Sequence, residues 1–225
     1  MQICVSLGGK REIYSPALPI KSGEKPSCVD RLVPEIGILF RKTLRRKPMV
    51  SREERKVNVI AALNKARSME LHAIHQYMNQ HYNLDDKDYG ELAMNMKLIA
   101  IDEMRHCEMF AERIKELGGE PTSELAAKVV KGQDVKTIFS SDATAEDDTI
   151  YVYTMLRKEC AENGDILTAK LFDTIIEEEQ AHMNYFDNVS GHIETLGDTY
   201  LSKIAGTSAS TGGATKGFVL NKAAN

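Results

Sequence analysis

The sequence predicts an all-α fold: a four-helix bundle with one long crossover between the second and third helices and a short fifth helix at its C-terminal end. Three observations carry that expectation. Helical patterning fills most of residues 51 to 206. Turn signals divide it into four segments of roughly 30 residues, each about 45 Å long at 1.5 Å per residue, so they need only each other to form a core. Two of the three connections are short and the middle one is long, as a bundle requires when its second and third helices run parallel.

The elements follow in order. Residues 1 to 50 read as an irregular basic extension: Pro16, Pro19, Pro26, Pro34 and Pro48 break it, and ten Lys or Arg face four acids. A basic transit peptide is one reading, but Glu12, Glu24, Asp30 and Glu35 suit it poorly. The preferred reading is a misassigned start with Met49 as the natural one, because Ser51 and Glu54 form a capping box that opens the first helix. That helix is expected over about residues 52 to 83. A polar turn from Asn83 to Asp88 leads into the second, about 86 to 117, stopped by Gly118, Gly119 and Pro121. The crossover, residues 120 to 140, contains KVVKGQDV and little helical pattern. Ser141 or Asp142 is expected to cap the third helix, which runs to about Glu162 and ends at Asn163 and Gly164. Asp165 caps the fourth, which runs to about Leu196. A short helix from Asp198 to Ala205 completes a domain of residues 51 to 206, and the Ser/Thr/Gly-rich stretch 207 to 225 reads as a flexible tail.

At 225 residues the chain can bury a sizeable single core. A net charge of -4 argues against a nucleic-acid binder. No run of about 18 apolar residues is present to span a membrane. Cys4, Cys28, Cys107 and Cys160 form no C-x-x-C pair and no regular framework, which points to reduced thiols and a cytoplasmic location.

Chemistry enters with IDEMRHCEMF, residues 101 to 110, which sets Glu103, Met104 and His106 in the middle of an apolar helix. Glu103 and His106 stand three apart and share one helix face. One E-x-x-H carries little weight, since a hydrogen-bonded surface pair reads the same way. A second, Glu179 and His182 in EEEQAH, lies on the fourth helix. Each is preceded 33 residues upstream by a glutamate, Glu70 in SMELHAI (103 − 70) and Glu146 in DATAEDDTI (179 − 146), so the pattern repeats at an offset of 76 (146 − 70). Four buried carboxylates would be forced to take up protons unless cations compensate them, and two divalent ions would do so. Carboxylate oxygens with one imidazole per metal suit iron or manganese better than zinc. One Glu from each of two helices plus Glu-x-x-His from each of the others is the ligand set of ferritin-like di-iron bundles.

Helical rotation sorts the neighbouring residues. Tyr77 falls about 20° from Glu70 and about 10 Å along, where it is either a core tyrosine or a partner that bonds a ligating carboxylate. His72 and His75 are rotated about 160° and 140° from Glu70 and point elsewhere, while His81 shares the face but lies about 16 Å away. Met104 is rotated about 100° from Glu103, so it looks outward. With ten methionines in the chain, a flexible packing role is its plainest reading in isolation.

MELHAIHQY, AIDEMRHCE and IIEEEQAH resemble the most telling segments of bacterioferritin, the haem-containing branch of the ferritin family, and the ligand spacings over residues 52 to 206 look the same without a gap. The resemblance implies that Glu70 and His106 hold one iron, that Glu146 and His182 hold the other, and that Glu103 and Glu179 bridge both. Those six would be the catalytic set of a ferroxidase that oxidises Fe²⁺ to Fe³⁺ with dioxygen or hydrogen peroxide. It places the axial haem ligand at Met104, so that two copies from two subunits clamp one haem or related iron porphyrin, with Lys97 and Arg105 near its propionates. It further implies a hollow homo-oligomer of 24 subunits built from haem-bridged dimers, a stored ferric mineral, and a ferredoxin-like or rubredoxin-like electron donor. The first 48 residues match nothing in that pattern. A di-iron peroxidase of the rubrerythrin kind would need a tetracysteine site that the scattered cysteines do not offer, and a plain helical scaffold would bind no iron.

Mass spectrometry of the native N-terminus is expected to find a chain that begins at Met49; recovery of a peptide from residues 20 to 45 would refute that start.

Overall fold

The computed structural model describes residues 50–213 and 216–223; the expectations for residues 1–49, the Met49 start included, lie outside the described residues. Among the described residues the helices are α1 (Arg52–Asp86), α2 (Gly90–Glu116), α3 (Val135–Glu162), α4 (Ile166–Leu196), α5 (Asp198–Ile204) and α6 (Phe218–Lys222). Helices α1 and α2 pack along their lengths as one hairpin and α3 and α4 as another, with the long connection between them. The fold is the ferritin-like bundle.

Local chemistry sets the ends. The Ser51 hydroxyl accepts from the Glu54 amide at 3.1 Å and the Glu54 carboxylate accepts from the Ser51 amide at 2.9 Å, so the capping box opens α1. The Asp165 carboxylate caps α4 through the Thr168 amide at 2.9 Å. It also takes two bonds from Arg113, at 2.8 and 3.0 Å, which ties the end of α2 to the start of α4.

Three boundaries differ from expectation. Helix α1 runs on to Asp86, and α2 begins only at Gly90, after Asp88 turns the chain at φ 65°. Gly90 is required there, because a Cβ would collide with the Thr207 backbone. Helix α3 begins six residues or more before Ser141 or Asp142, capped by Asp134, whose carboxylate accepts from the Lys136 amide at 2.9 Å. The physical reason is an apolar stripe: Val135, Ile138 and Phe139 are all buried, and Asp142 is buried behind them. The stretch expected as a flexible tail carries α6, whose Phe218 is 2% exposed and packs against the α2–α4 side of the bundle.

The crossover is stitched along α1. Arg67 donates to the Thr122 carbonyl at 2.8 Å, the Ala126 amide donates to the Ser68 carbonyl at 2.9 Å, and Gln76 exchanges two bonds with the Val130 backbone at 2.8 and 3.0 Å. Several of its backbone groups are thereby satisfied without a helix.

Two apolar clusters fill the bundle. One gathers Val59, Leu63, Phe110, Tyr153, Phe172 and Ile175; the other Tyr77, Leu92, Ile99, Phe139, Phe186 and Val189. On each long helix a single glutamate of the predicted set falls between them: Glu70 between Ala66 and Tyr77, Glu103 between Ala100 and Phe110, Glu146 between Phe139 and Tyr153, Glu179 between Ile175 and Phe186. The polar layer is thus held at mid-bundle by apolar packing on both sides.

Candidate metal centre

All six predicted residues meet in that layer, each at most 3% exposed. They form two overlapping groups. Glu70, Glu103, His106 and Glu179 present ligand atoms within 4.8 Å of one another, and so do Glu103, Glu146, Glu179 and His182. Glu103 and Glu179 belong to both.

The imidazoles set the polarity of the site. Nδ1 of His106 lies 3.0 Å from Glu103 Oε2, 3.1 Å from Glu179 Oε1 and 3.8 Å from Glu70 Oε1. Nδ1 of His182 lies 3.1 Å from Glu179 Oε2 and 3.2 Å from Glu103 Oε1. Each Nδ1 faces carboxylates that one N–H cannot serve together, and the second oxygens, Oε1 of Glu103 and of Glu179, are left buried without a hydrogen bond. The short contacts to those oxygens are therefore electrostatic rather than hydrogen bonds. A cation in each group would give every one of these atoms a partner, so the donor set fits two metals.

The outward nitrogens are tied back. Nε2 of His106 meets Glu178 Oε2 at 3.2 Å, and Nε2 of His182 meets Asp102 Oδ2 at 3.3 Å. A carboxylate on the far nitrogen fixes the tautomer and the ring plane of a metal-binding imidazole. Two phenols complete the layer: Tyr77 donates to Glu146 at 2.5 Å and Tyr153 donates to Glu70 at 2.6 Å. Tyr77 therefore bonds a carboxylate of the layer, yet one on the opposite hairpin from Glu70. Tyr153, Asp102 and Glu178 were missed by sequence reasoning, although the 76-residue offset contains them: 77 + 76 is Tyr153 and 102 + 76 is Glu178.

Without metal the cluster balances its own charge. Burial, reinforced by the charges of Glu179 and Glu103, pushes the Glu70 and Glu146 carboxyls well above the usual range. Burial also raises Glu103 and Glu179, but the imidazoles outweigh it, leaving Glu103 low and Glu179 at about 2. Burial opposes charge on both histidines, and the carboxylates around them prevail and hold both imidazoles well above their ordinary value. Burial and the adjoining carboxylates keep both tyrosines protonated as donors.

A cavity of about 270 Å³ reaches the layer and is walled by Glu70, Glu103, Glu146 and Glu179 together with Asp142. Burial raises the Asp142 carboxyl to about 7. His72, expected to point elsewhere, stands in the wall of this cavity with its Nε2 buried and unbonded. His81 is buried with Nδ1 2.8 Å from the Ala93 carbonyl, outside the layer. Met104 lies on the outside of α2, 46% exposed. Arg105 is turned to the back of the layer, with Nη1 2.9 Å from Asp102 and 3.5 Å from Glu178.

The architecture and its doubled, glutamate-sharing cluster define the ferritin-like class, and the family model for the ferritin-like domain matches residues 60–196. A bacterioferritin of Desulfovibrio desulfuricans is 69% identical over 169 residues, 75% of this chain and 94% of its own length. One of Streptomyces coelicolor is 33% identical over 147 residues, 65% of this chain and 88% of its own. The X-ray structure of the D. desulfuricans bacterioferritin, which concerns its diiron site in different catalytic states, aligns with a TM-score of 0.73 at 68% identity over 76% of this chain and 99% of that one. The chain belongs to the bacterioferritin family.

Binding of two divalent cations per chain is expected to displace more than one proton, drawn from Glu70, Glu146, His106 and His182, whose surroundings all favour the protonated form. Calorimetry in two buffers of different ionisation enthalpy measures that number. Release of one proton or none would refute the charge balance described.

Proposed function

We propose that the chain is an iron-storing ferroxidase subunit. Two Fe²⁺ ions per chain are its substrate, and dioxygen or hydrogen peroxide accepts their two electrons. With dioxygen, two electrons and two protons give hydrogen peroxide; with hydrogen peroxide they give two waters. The observation that carries the reading is the sharing of Glu103 and Glu179 between two ligand groups, each with one orphaned oxygen. Two irons held by common carboxylates lose their electrons as a pair.

Each residue has a part. Glu70 with His106, and Glu146 with His182, hold one ion each, and Glu103 and Glu179 bridge them. Four ionised carboxylates favour the more highly charged ferric product. Glu178 and Asp102 keep the imidazoles aimed inward, and Tyr77 and Tyr153 hold Glu146 and Glu70 in place. The ferric product is stored as a mineral in the cavity of a shell of 24 copies.

Met104 supports a haem or related iron porphyrin shared by two subunits, because a half-exposed thioether on the outer face of α2 is free to meet its equivalent across a two-fold axis. Such a group would supply one-electron transfer when bound, from a small redox donor of the ferredoxin or rubredoxin kind. Arg105 is already paired with Asp102, which leaves Lys97 as the nearer candidate for a propionate. A cytoplasmic location is supported by the free buried thiols of Cys107 and Cys160. Among the described residues no helix is long and apolar enough to cross a membrane.

Anaerobic Fe²⁺ titration is expected to saturate at two ions per chain. The double change Glu103→Ala with Glu179→Ala removes both bridges and is expected to abolish fast oxidation while the far-ultraviolet circular dichroism stays that of a helical bundle; unaltered stopped-flow kinetics would rule out this site. Met104→Leu is expected to strip the porphyrin, half an equivalent per chain in the native protein, and to spare oxidation. A porphyrin band of native intensity in that variant would remove Met104 from its role.

A further inference from the structure

The two halves of the metal layer are built alike by the 76-residue repeat but are enclosed differently. His106 is backed by Glu178, whose side chain is 16% exposed, whereas His182 is backed by Asp102, whose side chain is 0% exposed. The difference comes from the C-terminal segment. The Val219 amide donates to Asp102 Oδ2 at 2.9 Å, the same oxygen that meets His182, while Arg105 bonds Oδ1 at 2.9 Å. Gly217 lies so close that a Cβ there would collide with the Asp102 carboxylate. Phe218 is 2% exposed, with its ring 6.1 Å from that of His182 and 4.9 Å from that of Tyr185. Lys222 closes over it, with Nζ 4.5 Å from the Phe218 ring centroid.

We propose that residues 217–222 are a strap that positions His182 through Asp102 and makes the two metal positions unequal, the ion beside His182 exchanging more slowly than the ion beside His106. This rests on the two-metal reading above. A metal leaves when its ligands swing away in turn, and an imidazole swings only as far as the group on its outer nitrogen allows. Asp102 is held by three donors and covered by backbone. Glu178 has a longer side chain, partial access to water and no covering segment among the described residues. Val219 acts through its backbone N–H and Gly217 through the close approach it permits; neither touches a metal position.

The test uses Co²⁺ as the only added metal, loaded without oxygen to two ions per chain and released into excess EDTA while the cobalt absorbance is followed. The full chain is expected to release one ion per chain in each of two phases. His106→Ala is expected to remove the fast phase and His182→Ala the slow one. Val219→Pro deletes the donor at a helix position where proline is tolerated. It is expected to speed the slow phase by roughly tenfold, the low end of what loss of a supporting bond does to a metal site, and to leave the fast phase alone. A chain ending at Gly213 is expected to do the same, and Val219→Ala, which keeps the N–H, to behave as native. A single phase in the full chain, or an unchanged slow phase in both Val219→Pro and the shortened chain, would overturn the strap. Failure of the full chain to take up two Co²⁺ would instead overturn the metal-site reading on which the strap rests.

Discussion

Everything in this molecule answers to the cost of placing four carboxylates, each almost wholly enclosed, at the centre of a helical bundle. An uncompensated ion in such a place is prohibitively expensive, so the charge must be matched atom by atom. Two imidazoles between the bridging glutamates provide part of the match, and protons on the outer glutamates provide the rest when no metal is bound. The phenols and the outer carboxylates then keep each group pointed the right way. The same six groups, stripped of their protons, fit the donor set that two divalent ions would need.

The bundle supplies what the layer cannot supply for itself. Apolar clusters above and below hold the four helices at a fixed spacing, with Phe110, Tyr153 and Phe172 in mutual ring contact on one side and Phe186 in ring contact with both Tyr77 and Phe139 on the other. Both tyrosines belong to an apolar cluster by their rings and to the metal layer by their hydroxyls, so packing and polar geometry are joined through single side chains.

Much of this was legible in the residues. Period and punctuation predict four helices and one long link, and the doubled E-x-x-H with a glutamate 33 residues before each predicts which six side chains meet. The start of α3 was not legible, because KGQDV reads as loop and the apolar stripe of Val135, Ile138 and Phe139 is short enough to pass for crossover packing. The outer carboxylates escaped for a different reason: Asp102 and Glu178 sit beside their ligands in sequence, rotated off the inner face, and only the three-dimensional crossing of α2 and α4 turns each toward the other helix's histidine. His72 stands in the cavity wall but joins neither ligand group, in keeping with its rotation away from Glu70. The docking of α6 was hidden by composition, a Ser/Thr/Gly-rich run masking one buried phenylalanine.

The 76-residue repeat has a consequence for how the chain comes together. Each ligand group takes a glutamate from the opposite hairpin, Glu179 for the first and Glu103 for the second, and each tyrosine also reaches across. Neither hairpin by itself can therefore complete even half of the site. The mid-bundle layer is complete only where the two hairpins are docked, so the site is a property of the hairpin interface and not of either hairpin.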